Sequence, residues 1–137
     1  MTIREGGCLC GEVRIEATGE PLLQAICHCR QCQKNCGGSP ASIVMYPSNS
    51  VALKKGELRY FDTPADSGNH VSRGFCTQCG TPIMSSLSST NDFTIVKLGA
   101  FDDPSFFEPG SVFWTSEKHE WARDPEGVPC FEGNPPG

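Results

Sequence analysis

Residues 6–18 read Gly-Gly-Cys-Leu-Cys-Gly-Glu-Val-Arg-Ile-Glu-Ala-Thr, two cysteines one residue apart, a glycine, and then a strict apolar–polar alternation. Val13, Ile15 and Ala17 alternate with Arg14, Glu16 and Thr18, which is the period-two pattern of a strand with one buried face. Similar short stretches recur at residues 41–46, 58–63, 70–75, 83–87 and 93–98, with a weaker one at 112–115. The connections between them, Pro47-Ser48-Asn49-Ser50, the run from Thr63 to Asn69 and Asp102-Asp103-Pro104, are rich in turn formers. No long segment keeps a 3.6-residue apolar period, so only a short helix is expected, at residues 30–35 after a cysteine turn. The pattern predicts an all-β, predominantly antiparallel domain. The tail from Asp124 onward is turn-like, with frayed last residues expected.

A chain of 137 residues suits one domain, read here as residues 1–137 with the turn-rich tail at 124–137. Mean hydropathy is -0.30 and no apolar run is long enough to span a bilayer. The opening, MTIREGGCLC, lacks the apolar core of a secretory signal, so a cytosolic location is expected, in which thiols stay reduced. Nine cysteines cannot all pair within one chain, and in a reducing compartment clustered cysteines point to metal rather than to disulfides. The formal charge is -5, and a zinc on four thiolates and another on three would bring it to about -8. So acidic a chain is expected to bind neither nucleic acid nor anionic membrane.

Seven of the nine cysteines fall in three groups: Cys8 with Cys10, Cys27 and Cys29 with Cys32, and Cys76 with Cys79. Each group is short enough for one backbone turn to present two or three sulfurs to one ion, and structural zinc takes four such ligands in a tetrahedron. Gly11 follows Cys10 and Gly80 follows Cys79, as in metal knuckles whose backbone N–H groups turn toward the thiolates. The two glycine-tagged pairs are the favoured partners for a closed four-sulfur site, although spacing leaves open other pairings, such as Cys8 and Cys10 with Cys27 and Cys29. On the favoured pairing Cys27, Cys29 and Cys32 remain as a three-sulfur group, the number of protein ligands typical of a catalytic zinc with one open position. The competing reading is a second structural site completed by Cys36, His28 or another side chain.

The runs GGCLCGEV at 6–13, ICHCRQCQ at 26–33 and SGNHVSRGFCTQCGTPI at 67–83 resemble the glutathione-dependent formaldehyde-activating enzymes and the centromere protein V-like domain. The likeness extends to the ending GVPCFEGNPP at 127–136. It implies a zinc-binding, Mss4-like β-tent fold. It further implies a structural zinc on Cys8, Cys10, Cys76 and Cys79 and a catalytic zinc on Cys27, Cys29 and Cys32, two ions per chain. Cys36 departs from the family pattern, standing where a small hydroxyl residue is expected. A sulfur reaching the metal from there would fill the open position.

His28 lies between two expected ligands, and its side chain should point away from their metal because neighbouring residues do not face the same way. His70 and His119 are isolated and read as surface or packing residues. The aromatics Phe106, Phe107, Phe113, Trp114 and Trp121 read as core, or as a lid over it. Arg30, Lys34 and Arg73 lie near cysteine groups and could meet a substrate carboxylate, though most such charges are simply solvated.

The resemblance implies a zinc-dependent carbon–sulfur lyase acting on a small-molecule thiol such as glutathione and on formaldehyde, or on their adduct. A zinc held by three thiolates carries a formal charge of about -1, so holding a substrate thiolate suits it better than acidifying water. The competing classes are a non-enzymatic zinc scaffold or chaperone-like module, with a saturated second site, and a redox sensor acting through Cys36 or Cys130.

Overall fold

The computed structural model describes residues 1–64 and 68–134; the middle of the turn-rich run 63–69 and the last three residues of the tail lie outside the described residues. Among the described residues ten strands and one α-helix follow in order: β1 (Ile3–Gly7), β2 (Arg14–Thr18), β3 (Leu23–Cys27), α1 (Arg30–Cys36), β4 (Ala41–Pro47), β5 (Val51–Lys55), β6 (Leu58–Pro64), β7 (His70–Cys76), β8 (Pro82–Leu87), β9 (Thr90–Lys97) and β10 (Ser111–Phe113). Strands β1, β2 and β5 form a three-stranded sheet. The other seven run in the order β10-β3-β4-β9-β8-β7-β6, antiparallel except where β10 lies parallel to β3. No helix among the described residues is long and apolar enough to cross a membrane.

Each stretch with period-two apolar spacing is a strand, within a few residues of its expected limits. β1, β3 and β5 carry no such signal in the sequence. β1 (IREGG) has little apolar content, β3 (LQAIC) is covered along most of its length rather than on one face, and four of the five residues of β5 are exposed. Cys29 caps α1 by accepting the Cys32 N–H at its sulfur, and Gly37 ends it in the left-handed region at φ 77°. The tail is turn-like but docked: Phe131 N–H donates to Val112 C=O, Val112 N–H to Pro129 C=O and Trp114 N–H to Gly133 C=O, along β10.

Two cores lie on opposite faces of the seven-stranded sheet. Val44, Tyr46 and Val96 face the three-stranded sheet and pack with Val13, Ile15, Ala17, Cys8 and Cys76. Ala25, Ile43 and Phe113 face the other way and pack with Cys27 and Cys32 beneath α1. The alternation that makes each strand two-faced therefore sends one cysteine group to each side. Of the aromatics, Phe113 is buried in the second core, Phe106 and Phe107 pack on the first, and Trp121 is exposed, stacked on His119 at a centroid distance of 5.2 Å.

The two sheets meet where Gly6 of β1 bridges to Phe101, and Asp102 N–H donates to Glu5 C=O beside it. A Cβ on Gly6 would stand 2.2 Å from the Ala100 carbonyl oxygen, a backbone atom that cannot swing aside. Gly6→Ala is expected to destabilise the fold by about 1–3 kcal/mol. Gly99→Ala, where an added Cβ meets nothing within 4 Å, should stay within about 0.5 kcal/mol of wild type. Paired denaturant titrations check this, and equal effects from both substitutions would show that the sheets do not depend on that close approach.

Candidate metal centres

The turn leaving β1 and the turn leaving β7 bring Cys8, Cys10, Cys76 and Cys79 together, with all four sulfurs within 4.8 Å of one another. Cys8 Sγ lies 3.5 Å from Cys10 Sγ, which lies 3.7 Å from Cys76 Sγ. These separations are far longer than a disulfide of about 2.05 Å. They are close to the edge of ~3.8 Å of a tetrahedron built on metal–sulfur bonds of ~2.3 Å. Gly11 and Gly80 adopt φ 83° and 78°, and their N–H groups close the turns on the Cys8 and Cys76 carbonyls. That frees the Val13 and Gln78 N–H groups to donate to Cys8 Sγ and Cys76 Sγ at 3.2 and 3.3 Å.

Thr81, which sequence reasoning did not single out, joins the two turns. Its hydroxyl accepts the Leu9 N–H at 3.1 Å and lies within hydrogen-bond distance of Cys79 Sγ, at 3.1 Å. Hydrogen bonds from Thr81 pull the Cys79 thiol down to about 5. Cys10 is pushed up to about 12: a backbone hydrogen bond at Glu12 favours its thiolate, but burial and the three neighbouring sulfurs outweigh it. Without a cation, like charges so close cannot all ionise, so protons are shared unevenly within the group.

The second group is built from the end of β3 and the start of α1. Cys27, Cys29 and Cys32 lie with their sulfurs within 4.8 Å of one another, and Cys32 Sγ is 3.5 Å from Cys27 Sγ. Cys27 and Cys32 are buried and Cys29 is half-buried, so the group opens to solvent on the Cys29 side. Hydrogen bonding with Cys27 and Cys29, together with the nearby Lys97 and Arg73 charges, lowers the Cys32 thiol against its burial, whereas hydrogen bonding with Cys29 and Cys32, together with burial, raises that of Cys27. Cys36 is not in the group. It sits on the exposed last turn of α1 with its thiol 3.4 Å from the Gly38 carbonyl oxygen.

His28 is fully buried and turned away from the sulfurs on either side of it, since successive side chains of an extended segment point in opposite directions. Its Nε2 lies 2.7 Å from Asp124 Oδ1, and Asp124 Oδ2 lies 2.7 Å from Lys118 Nζ. Burial raises the Asp124 carboxyl, but the hydrogen bonds from Lys118 and His28 hold it below the usual range. Asp124 thus anchors the cysteine loop to the carboxy-terminal segment across 96 positions of sequence, a link with no local signal. His119 packs on Trp121 and hydrogen-bonds Gln33 Oε1, and Arg30 donates to the same oxygen. Lys97 at the end of β9 is, with Thr81 and Asp124, a residue that sequence reasoning missed. Burial lowers its ammonium, which the sulfurs of the second group partly offset.

Both donor sets fit a thiophilic ion such as zinc, being all sulfur, closely gathered and partly buried, with N–H groups turned to the sulfurs.

The sequence profile described as glutathione-dependent formaldehyde-activating enzyme matches residues 3–117. No protein with a curated description matches the chain. The fold is similar to a crystal structure of a Rhodobacter sphaeroides protein at 21% identity, with a TM-score of 0.59, covering 77% of this chain and 96% of that one.

The four-sulfur group joins turns that belong to different sheets, whereas the three-sulfur group joins the end of one strand to the helix that follows it. Cys79→Ser is therefore expected to cost on the order of 4 kcal/mol or more, and Cys29→Ser about 1–2 kcal/mol, in urea unfolding of metal-replete protein. Equal and mild effects would contradict this division of labour.

Proposed function

The chain belongs to the glutathione-dependent formaldehyde-activating enzyme family, and from that premise we propose that it joins a thiol to formaldehyde, or reverses that addition, at the three-cysteine group. In this reading zinc is held by Cys8, Cys10, Cys76 and Cys79 as a structural ion and by Cys27, Cys29 and Cys32 as the ion at the reacting centre. The observation that carries it is the inequality of the two donor sets: four sulfurs in one and three in the other, with Cys36 turned to the Gly38 carbonyl instead of completing the second.

When bound at the three-sulfur group, zinc supplies a Lewis-acid centre that favours the thiolate form of an added thiol. The protein does the rest. Buried Cys27 and Cys32 fix the floor of the site, and the more open Cys29 marks the side from which a small thiol enters. The Cys32 N–H donates to Cys29 Sγ at 3.2 Å and disperses part of its charge. His28, held by Asp124, keeps the two flanking cysteines oriented. Gln33 supports the same loop by donating to the His28 carbonyl at 2.7 Å.

In the addition, the S–H bond of the thiol breaks and a sulfur–carbon bond forms at the carbonyl carbon. The π pair of C=O moves to oxygen, which takes the proton. Reactants and product are at one oxidation level, so no oxidant or reductant is consumed. The contribution asked of the site is alignment of thiolate and carbonyl, and intramolecular alignment is worth up to about 7–11 kcal/mol in favourable systems.

The test follows adduct formation by NMR for several thiols, corrected for the spontaneous combination of formaldehyde with thiols. Wild type should exceed the background. Cys29→Ser should remain folded and retain one zinc but lose the excess rate, and His28→Ala should reduce it about 10–100-fold. Cys36→Ser should leave it unchanged. Absence of any excess rate in zinc-replete wild type, whatever the thiol, would sink the enzyme reading in favour of a zinc-dependent scaffold.

A further inference from the structure

Strand β6 ends the seven-stranded sheet on one side, with β7 its sole strand neighbour among the described residues. The hydrogen bonds of β7 show which backbone groups of β6 point outward. His70 N–H donates to Ser88 Oγ, His70 C=O accepts from Ser88 N–H, and Cys76 N–H donates to Thr81 C=O, so the even-numbered residues of β7 address the β8 side. Its odd-numbered residues address β6, where Val71, Arg73 and Phe75 stand opposite Thr63, Phe61 and Arg59. Leu58, Tyr60, Asp62 and Pro64 therefore turn their backbone groups to the open edge. Gln31 Nε2 meets the Pro64 carbonyl there at 3.2 Å, which agrees with this assignment and covers that end of the strand.

The other sheet edges are covered or guarded. The tail docks along β10, with Cys130 bridged to Val112 and the Phe131 N–H given to the Val112 carbonyl. β1 is bridged to Phe101 at Gly6. β5 keeps Lys54 and Lys55 exposed on its edge, a common defence against the addition of a foreign strand. β6 (LRYFDTP) carries no lysine, and its neighbours Tyr60 and Phe61 are 49% and 64% exposed in the middle of the open edge. Free backbone groups beside exposed aromatic rings make a template for another strand.

The strand that fits this template is a second copy of β6. A two-fold axis normal to the sheet keeps each side chain on its own face, so residues pair only with residues of the same parity. With the axis at Tyr60, the outward residues Leu58, Tyr60 and Asp62 meet Asp62, Tyr60 and Leu58 of the other copy, and about six backbone hydrogen bonds form, two for each pair. Pro64, which has no N–H to give, stays outside the ladder. On one face Arg59 of each copy stands opposite Phe61 of the other, a cation against a ring, and on the other face the two Tyr60 rings meet. Arg59 and Asp62 cancel in charge within the strand, so this edge is spared the repulsion expected between two chains of formal charge -5.

We propose that two copies of this chain join edge to edge through β6, antiparallel and centred on Tyr60, in one continuous sheet. The two-fold pairing uses both open edges, and the far edge at β10 is covered by the tail, so association stops at two. The dimer stands apart from the chemistry proposed for the cysteine group and holds whether or not that chemistry does.

Sedimentation velocity on the zinc-loaded full chain, over a concentration series, should rise from 14.8 kDa to twice that mass and go no further. Phe61→Lys sets a lysine against each Arg59 and should weaken association about tenfold or more. Tyr60→Pro removes an outward N–H and no bond to β7, the placement of proline that an edge strand tolerates, and should weaken association with the circular dichroism spectrum unchanged. Leu53→Lys, on the guarded edge of β5, should leave association as it is. In a mixture of isotope-labelled and unlabelled chains, a filtered NOE should connect Arg59 of one copy with Phe61 of the other. A chain that stays at 14.8 kDa throughout overturns the proposal, as does a mass that climbs past two copies. So does a dimer that ignores Phe61→Lys, one weakened equally by Leu53→Lys, or one without the contact between Arg59 and Phe61. Should Tyr60→Pro fail to fold, Phe61→Lys and the NOE decide.

Discussion

Sulfurs held within hydrogen-bond distance of one another cannot all carry charge unless a cation joins them, and this constraint organises the molecule. The group formed by Cys8, Cys10, Cys76 and Cys79 gathers sulfurs from two distant turns, and a cation shared among them would cross-link the two sheets. The surroundings serve the same end. Gly11 and Gly80 take the positive φ that closes each turn, Val13 and Gln78 aim N–H groups at sulfur, and Thr81 spans the two turns through its hydroxyl. A small sheet whose strand β5 is mostly exposed has limited apolar surface to bury, and a metal held by these four sulfurs would add a restraint between the sheets.

The seven-stranded sheet then serves as a partition. Alternation along β3, β4 and β9 directs Val44, Tyr46 and Val96 to the cross-linked face and Ala25, Ile43 and Ile95 to the face beneath α1. The second group thus stands on a packed sheet whose other side is tied down by the first. It differs in composition: three sulfurs, one of them half-exposed, flanked by Lys97 and Arg73 and backed by the buried pair of His28 and Asp124. A rigid support with one accessible side is what a reacting centre would require.

Much of this was legible in the sequence because it is local. Val13, Ile15 and Ala17 announce a strand by their spacing, and the three short cysteine groups announce metal chemistry by theirs. The turn formers of Pro47–Ser50 and of the run from Thr63 to Asn69 likewise mark breaks between strands. What escaped notice is what depends on tertiary neighbours. β1 and β3 are strands because partners cover them, and neither has an alternation of its own. Asp124 looks like one more residue of a turn-rich tail until the fold brings it to His28. Lys97 reads as an ordinary polar end of a strand, and only the register of β4, β8 and β9 puts it on the same face as Cys27. Cys36, conspicuous in sequence as a possible fourth ligand, is carried out of reach because the last turn of α1 points it to solvent.

The central claim, two unequal sulfur sites on opposite faces of one sheet, is tested most directly by anomalous diffraction at the zinc edge from crystals of the zinc-replete chain. The account predicts two ions. One is bound by Cys8, Cys10, Cys76 and Cys79, and the other by Cys27, Cys29 and Cys32, with its remaining position taken by water or a small molecule. A single ion, or a second ion saturated by a fourth side chain such as Cys36, would contradict it.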